Sequence, residues 1–259
     1  MIKPLLTVLT ILVGLQASAQ QVSKPVLVSG FDDVLRQSEN TGLTKSALKI
    51  LEKDKTFAGM PELYQAIAGE EKREAKFNLV SGISTWFHGR IQKFLREAHY
   101  PPAEFYLRNW LTEWSIEVFK FEKLKKILAE NPGRQFIVIF DNSEPSLEIA
   151  EMIRTHFSDR ISPVYLHQVV FRGPRAGTFS YITAFDIALN EMKFGRMSAV
   201  ETAKVAQAIL AEKNPELVIP DYAYCPTQYD PCGNVAQELV AVCSQVQTKI
   251  IEICKSRKN

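Results

Sequence analysis

The chain alternates short apolar runs with longer stretches in which apolar residues recur every three or four positions. The short runs, bounded by polar or turn residues, predict strands at residues 25–29, 77–80, 105–107, 135–140 and 161–171. The periodic stretches predict helices at residues 60–68, 84–98, 117–130 and 146–157. A further strand and two helices are predicted between residues 171 and 210. Strand followed by helix, repeated, predicts an α/β fold with a Rossmann-like parallel sheet and helices on both faces.

The first 19 residues have the pattern of a secretory signal peptide. Lys3 gives a positive start, residues 5–15 are apolar, and Ala17-Ser18-Ala19 is a small-residue cleavage site. The sequence therefore predicts a secreted or periplasmic protein whose mature chain starts near Gln20. Removing Lys3 leaves 30 basic against 29 acidic residues, a balance that argues against nucleic acid as a partner. Nothing after residue 19 is long and apolar enough to span a membrane, and no pattern indicates an oligomeric state.

Residues suited to phosphate chemistry follow the predicted strands. In a doubly wound fold the ligand lies at the carboxyl ends of the strands. Those ends carry an ordered set of residues: Gly30, Asp32 and Asp33 after the first strand, Ser81 and Gly82 after the second, and Asp141 and Glu144 after the fourth. Lys120 opens the helix that leads into the fourth strand. This order of acid, hydroxyl, lysine and acid resembles the motifs of the haloacid-dehalogenase-like (HAD-like) phosphohydrolases.

The resemblance implies a role for each residue type. In that superfamily an aspartate attacks phosphorus, and a second aspartate two residues later moves the proton of the leaving group. On this basis Asp32 is the predicted acid/base residue. The resemblance further predicts that Ser81, Gly82 and Lys120 bind the phosphoryl oxygens. Carboxylates after the fourth strand hold Mg²⁺ in the superfamily, which predicts Asp141 and Glu144 as metal ligands.

Longer segments narrow the resemblance to one branch of the superfamily. Four of them are similar to the catalytic domain of the actin-patch-type phosphatidate phosphatases: KTFAGMPELYQAIA, FNLVSGIS, FLREAHYPPAEFYLRNW and FIVIFDNSEPSLEIAEMI. The similarity is colinear and covers about residues 25–172. It implies a phosphomonoester or phospholipid ligand. The Arg108-Asn109-Trp110 segment matches an LRDW segment of the family except at Asn109, and we interpret it as structural or as part of the rim of the site.

Three positions depart from the family motifs. Aligning the first motif over residues 28–34 puts Gly30 where the nucleophilic aspartate stands and Val34 where a threonine stands. Glycine has no atom that attacks phosphorus. In the fourth motif Ser146 stands where a second aspartate is expected. The substitutions therefore predict a weakened magnesium site with Asp141 as its main side-chain ligand.

Three functional hypotheses follow from these departures. The first is a relative of the phosphatidate phosphatases in which aspartyl-phosphate catalysis is lost or strongly impaired. The second is an active, Mg²⁺-dependent enzyme with a substitute nucleophile, such as a water that Asp32 activates. The third is a non-catalytic module that binds phosphate, lipid or protein. Fold resemblance alone does not distinguish them, because function depends on the site residues.

All four cysteines lie in the last part of the chain, where three pairings are open. Asn234 resembles the cap of a helix that runs to about residue 255. On a continuous helix Cys243 and Cys254 would be about 16 Å apart, too far to bond. We therefore predict a small loop closed by a disulfide between Cys225 and Cys232.

The sequence thus predicts four parts. Residues 1–19 are the signal peptide, and residues 20–172 form the HAD-like phosphatase core. Residues 173–212 add a strand and helices that complete the domain, and residues 213–259 form the cysteine-containing helical tail.

Overall fold

The structure is a computed structural model that describes residues 24–38, 55–68, 76–173 and 175–257. Its centre is a sheet of six strands: β1 (Val26–Ser29), β2 (Phe77–Ser84), β3 (Ala103–Arg108), β4 (Phe136–Asp141), β5 (Ile161–His167) and β6 (Thr178–Tyr181). All neighbouring strands are parallel, in the order β3-β2-β1-β4-β5-β6. The predicted Rossmann-like parallel sheet is confirmed. The predicted signal peptide lies outside the described residues.

Helices cover both faces of the sheet, as predicted. One face carries α1 (Met60–Ala68), α2 (His88–Glu97), α5 (Ala184–Lys193), α6 (Ala199–Ala211) and α8 (Val240–Ser256). The other carries α3 (Ile116–Glu130) and α4 (Glu144–Phe157). The short α7 (Pro215–Val218) joins α6 to the tail. No helix in the described ranges is long and apolar enough to cross a membrane.

Alternating side chains of the central strands form two separate cores. In β1, Leu27 packs with the five-helix face and Val28 with the two-helix face. In β4, Ile139 and Phe140 divide between the faces in the same way. Both faces of a central strand are buried, which explains why these strands are continuous apolar runs in the sequence.

The ends of several elements differ from the prediction. β2 continues to Ser84, so Ser81 and Gly82 lie inside the strand, at a register shift against β3. The helix predicted to start at residue 84 begins instead as a 3₁₀ turn (Thr85–Phe87), because the Ser84 hydroxyl accepts a hydrogen bond from the backbone N–H of Trp86. β5 ends at His167, because the amide side chain of Asn142 binds the backbone of the following residues.

The cysteine tail corrects the predicted disulfide. Cys225 is bonded to Cys254 and Cys232 to Cys243, with Cα–Cα distances of 5.3 and 5.9 Å, so the predicted bond between Cys225 and Cys232 is wrong. The physical reason is the start of the helix. Asn234 does not cap it, and α8 begins only at Val240 after a 3₁₀ turn (Gln237–Leu239). Cys243 therefore lies in the first turn of α8, within reach of the preceding loop.

Candidate functional site

The candidate site lies where the order of the sheet reverses, at the carboxyl ends of β1 and β4. The next strand after β3 in the chain, β4, lies on the far side of β1, which makes this the switch point where ligands of such sheets bind. The backbone N–H of Gly30 donates to the carbonyl oxygen of Ile139 at 2.9 Å. This bond joins the loop after β1 to the end of β4. Asp32 and Asp141 therefore come to the same edge of the sheet.

Asp32 is held by an arginine that the motif comparison did not identify. Arg36 donates to Oδ1 of Asp32 from Nε at 3.1 Å and from Nη2 at 2.5 Å. Arg36 is itself buried, and its guanidinium lies 5.1 Å from the centre of the Phe31 ring. Burial raises the pKa of Asp32, Arg36 opposes this rise, and the charges of Asp33 and Asp141 add to it. Asp32 is therefore a carboxyl group in a crowded acidic environment with one close cation.

Asp33 shapes the loop and contacts the tail. Its φ of 54° is in the left-handed region, which is uncommon for a residue with a side chain. Its Oδ1 accepts from the backbone N–H of Ser38 at 2.9 Å and from the hydroxyl of Tyr222 at 2.6 Å. Nδ1 of His167, at the end of β5, donates to the Asp33 carbonyl oxygen at 2.6 Å. Asp33 is thus held by Ser38 of the same loop, by Tyr222 of the tail and by His167 of β5.

The space next to Gly30 is narrow. A Cβ atom at this position would lie 3.2 Å from Cγ2 of Val34 and 3.3 Å from Cδ1 of Phe140. Both atoms belong to side chains, which would have to shift by a few tenths of an ångström to admit a Cβ. Gly30 is not among the described glycines with positive φ, so its backbone conformation is open to other residues.

Lys120 and Ser81 lie on either side of the Gly30 position. Lys120 is buried in the second turn of α3, and its Nζ is 5.1 Å from the centre of the Phe140 ring. Ser81, in the strand on the other side of β1, is buried, and its hydroxyl accepts from the backbone N–H of Ile83 at 3.2 Å. A hydroxyl that accepts this bond still has a proton to donate. A cation and a hydroxyl therefore flank the end of β1.

The end of β4 is organised by hydrogen bonds. Oδ1 of Asp141 accepts from the backbone N–H of Ser143 at 2.7 Å, and its Oδ2 accepts from the Ser146 hydroxyl at 3.2 Å. Asn142 accepts from the N–H groups of Val169 and Val170, which joins this loop to the end of β5. Glu144 begins α4. Ser146, at the position where the motif comparison predicts an acid, therefore donates to Asp141 rather than adding a second negative charge.

The donor set at this edge is poor for Mg²⁺, which prefers several oxygen ligands and bound water. Asp141 is the described carboxylate at the end of β4, and both of its oxygens already accept hydrogen bonds. Asp32 is paired with Arg36. The described part of the chain contains no cluster of three side chains that could hold a metal ion.

The structure thus brings most of the predicted site residues to one edge. Gly30, Asp32, Ser81, Lys120 and Asp141 surround the ends of β1 and β4. Arg36 and Tyr222 were not identified from the sequence. The spacing of four residues between Asp32 and Arg36 was visible there, whereas Tyr222 lies 189 residues from Asp33 and gave no local signal.

Comparison with known protein families identifies the family of this chain. Residues 26–168, more than half of the chain, match the family model described as phosphatidate phosphatase APP1, catalytic domain. The matched region begins with β1 and ends just after β5. No curated protein and no solved structure matches the chain.

Proposed function

The chain belongs to the phosphatidate phosphatase APP1 catalytic-domain family, and on that premise we propose that it is an exported relative that binds phosphate esters without forming an aspartyl-phosphate. The ligand class is a phosphomonoester, either free or as the headgroup of a phospholipid. In this proposal the protein has lost catalysis but keeps the cleft that binds the phosphate ester.

The observation that carries the proposal is the environment of Gly30. The HAD-like chemistry predicted from the sequence needs a carboxylate at this position, and the nearby side chains do not replace it. Val34 and Phe140 approach the point where a Cβ would stand to 3.2 and 3.3 Å. The neighbouring acid, Asp32, is bound by Arg36. Loss of a catalytic nucleophile lowers rates by roughly 10⁴-fold or more.

Lys120 and Ser81 support retained binding of phosphate. Lys120 is buried and forms no direct ion pair among the described residues, although its charge interacts with the nearby carboxylate of Glu117. A buried cation held by no direct ion pair is suited to an anionic ligand. The Ser81 hydroxyl has a proton available on the other side of Gly30. These two groups would bind the oxygens of a phosphate that lies over the end of β1.

Mg²⁺ is a weak partner of this site in the proposal. Asp141 and Glu144 stay the predicted ligands, and the metal would supply positive charge beside the bound phosphate. Ser146 donates a hydrogen bond to Asp141 and supplies no carboxylate of its own. We therefore expect Mg²⁺ to bind mainly together with a phosphate, which would add oxygen ligands.

The tail supports export. Its two disulfides persist in oxidising compartments, which agrees with the predicted signal peptide and a secreted or periplasmic location. This is the same location that the first 19 residues predict.

Phosphate release from Gly30→Asp and Gly30→Asn tests the loss of the nucleophile. The two side chains have almost the same size, so they disturb Val34 and Phe140 equally, but only aspartate can attack phosphorus. We expect no release by the natural protein or by Gly30→Asn, with Mg²⁺ and either phosphatidate or a chromogenic phosphomonoester. Gly30→Asp should gain measurable release and a beryllofluoride adduct.

A second function, hydrolysis by water, is favoured by the raised pKa of Asp32, which suits a proton-transferring carboxyl group. The same assay distinguishes it. Turnover by the natural protein at the rates of an ordinary phosphatase, abolished in Asp32→Asn, would contradict the proposed loss of catalysis.

Lys120→Met tests the binding cleft. Calorimetric titration with a soluble short-chain phosphatidate should show binding weakened about tenfold or more, because a buried charge-assisted contact is removed. Lys126→Met is the matched control, since Lys126 is exposed on the same helix near Glu130. Equal affinity in the natural protein and in Lys120→Met would contradict a role for Lys120 in phosphate binding.

A further inference from the structure

An exposed apolar surface borders the candidate site on the side of β2 and β3. We call it the tryptophan rim, and its members are Trp86, Trp110, Leu111, Trp114 and Val118. Trp86 is 77% exposed and Trp114 is 85% exposed. The chain has three tryptophans, and all of them are in the rim. A cluster of large exposed apolar side chains on a folded protein indicates an interaction surface.

The rim lies at the mouth of the candidate site. Trp86 is in the 3₁₀ turn directly after β2, and Trp110 and Trp114 are in the loop after β3. Nε1 of Trp110 donates to the carbonyl oxygen of Gly82 at 2.9 Å. A Cβ at Gly82 would lie 3.4 Å from Cγ2 of Ile116, one turn before Lys120 in α3. Any ligand that enters from the β2 side therefore passes the rim.

Local hydrogen bonds hold the loop that presents the tryptophans. The Asn109 side chain accepts from the backbone N–H of Leu111 at 3.0 Å, and the N–H of Asn109 donates to Glu113 at 2.7 Å. Arg108 donates to the carbonyl oxygen of Trp114 at 3.3 Å. These hydrogen bonds order the loop, which keeps the indole groups of Trp110 and Trp114 at the surface.

The residue type indicates the partner. Tryptophan has an apolar body and a polar N–H, and it is enriched at the boundary between lipid headgroups and acyl chains. The other exposed large apolar residues in the described ranges are scattered over other elements and include no tryptophan: Phe171, Phe194, Val200 and Val240. The rim is therefore distinct in composition as well as in position.

Charge complementarity further selects an anionic lipid surface. The Arg108 guanidinium lies 6.0 Å from the Trp110 ring centre, and its Nε is buried with no hydrogen-bond partner among the described residues. The acid Glu113 is balanced by Lys123 at 3.1 Å. A second acid, Glu117, interacts with both Arg108 and Lys120. The three cations Arg108, Lys120 and Lys123 still outnumber the two acids, which leaves positive charge for a lipid phosphate at and behind the rim.

A shallow cleft continues the rim along the outer strand. It has a volume of about 350 Å³ and lies between His88, the β3 side chains Phe105 and Leu107, and Lys123. Apolar walls with one cation at the side suit the glycerol and upper acyl region of a lipid whose phosphate lies nearby.

We propose that the tryptophan rim docks the protein on the interface of an anionic phospholipid bilayer and aligns the candidate site with the headgroups. Trp86 and Trp114 insert between headgroups, and Arg108 contacts a lipid phosphate. This proposal rests on the proposed function, because it assigns the phosphate ester to a membrane lipid.

The experiment measures binding of residues 20–259 to vesicles by flotation and by intrinsic fluorescence. The vesicles are phosphatidylcholine alone and phosphatidylcholine with about one fifth phosphatidylglycerol, an anionic lipid with no phosphomonoester. Because every tryptophan is in the rim, a blue shift of the emission reports directly on insertion. The test variant is Trp86→Ala with Trp114→Ala, and the control is Phe171→Ala with Phe194→Ala, a pair of exposed aromatic residues elsewhere.

We expect a blue shift with anionic vesicles and a partition coefficient at least tenfold lower in the tryptophan variant, since burial of each indole contributes strongly to partitioning. The phenylalanine variant should bind like the natural protein. Arg108→Gln should reduce binding to anionic vesicles about threefold or more and leave binding to phosphatidylcholine unchanged. Equal partitioning of the natural protein and the tryptophan variant, or no emission shift, overturns the proposal.

The experiment also distinguishes lipid binding from self-association, and the rim from the phosphate cleft. Concentration-dependent sedimentation that disappears in the tryptophan variant, without vesicle binding, would assign the rim to contact with a second copy and overturn the proposal. Vesicle binding that depends on the tryptophans, together with no binding of soluble phosphatidate, would support the rim and contradict the proposed phosphate cleft instead.

Discussion

Apolar packing holds both the region that matches the family and the cysteine tail, but only the tail also has disulfides. Between residues 26 and 168, the strands contribute side chains to two apolar cores, and this alternation carries the fold. Between residue 213 and α8, the regular structure of the tail consists of the short α7 and one 3₁₀ turn. Two disulfides and the guanidinium of Arg257, which binds Pro220 and Ile219 through their carbonyl oxygens, tie its loops to that helix.

The tail also contacts the candidate site. Tyr222 binds Asp33, and the backbone N–H of Tyr224 donates to the carbonyl oxygen of Val169 after β5. Cys225 follows these residues directly and is bonded to the end of α8. The loop of the first motif is therefore anchored by a segment that lies outside the matched region. Three predictions test this difference between a region held by packing alone and a tail held by packing and covalent bonds.

Removal of the disulfides should have the largest effect. Replacing Cys225 and Cys254 by alanine opens a loop with a sequence separation of 29, and replacing Cys232 and Cys243 opens one of 11. From loop entropy we expect free energies of unfolding lower by about 3.5 and about 3 kcal/mol, measured by urea denaturation. A loss below about 1 kcal/mol for either pair would show that noncovalent packing holds the tail.

Tyr222→Phe should have an intermediate effect. It removes a hydroxyl that donates to a buried carboxylate, and we expect unfolding to be easier by about 1.5 kcal/mol. Tyr224→Phe is the control, because its ring packs on Phe171. In the protein without the Cys225–Cys254 bond the cost of Tyr222→Phe should fall, since the tail then holds Tyr222 less firmly. An unchanged cost would mean that the two features are independent.

The pH dependence from His167 should be the smallest effect. Burial lowers the pKa of His167 below its ordinary value of 6.5. The unfolded chain then binds a proton that the folded chain does not, so stability is complete above about pH 6.5 and falls as the solution becomes more acidic.

We expect a loss of about 1 kcal/mol between pH 7 and pH 5.5, measured by urea denaturation at each pH. His167→Phe keeps a ring against Tyr181 and should flatten this dependence. His156→Phe, at an exposed position of α4, should leave it unchanged. A slope that persists in His167→Phe would assign the dependence to other groups.

The centre of the sheet could be predicted because its strands are apolar runs buried on both faces, whereas the edge strands β3 and β6 are partly exposed. The ends of elements could not, because single side chains determine them. Ser84 starts a turn inside a predicted helix, and Asn142 ends β5 earlier than its apolar run does. These are contacts of one hydroxyl and one amide, and neither changes the hydrophobic pattern.

The candidate site, too, could be predicted only in part. The order of motifs identified Asp32, Ser81, Lys120 and Asp141, because neighbouring parallel strands bring their carboxyl ends together. The disulfides and Tyr222 depend on how the tail folds back, and no local pattern encodes that path. The predicted pairing was wrong because α8 begins later than predicted. Cys243 therefore lies near the helix start, within reach of Cys232.

The position of β6 has a consequence for where the chain can be divided. This strand pairs with β5 from Val164 to His167, although it lies beyond the region that matches the family. A protein cut after residue 172 would keep every predicted phosphate-binding residue but would expose the hydrogen-bonding groups of β5. Unpaired strands of this kind recruit other chains, so we expect the shortened protein to aggregate rather than act as a minimal phosphate-binding domain.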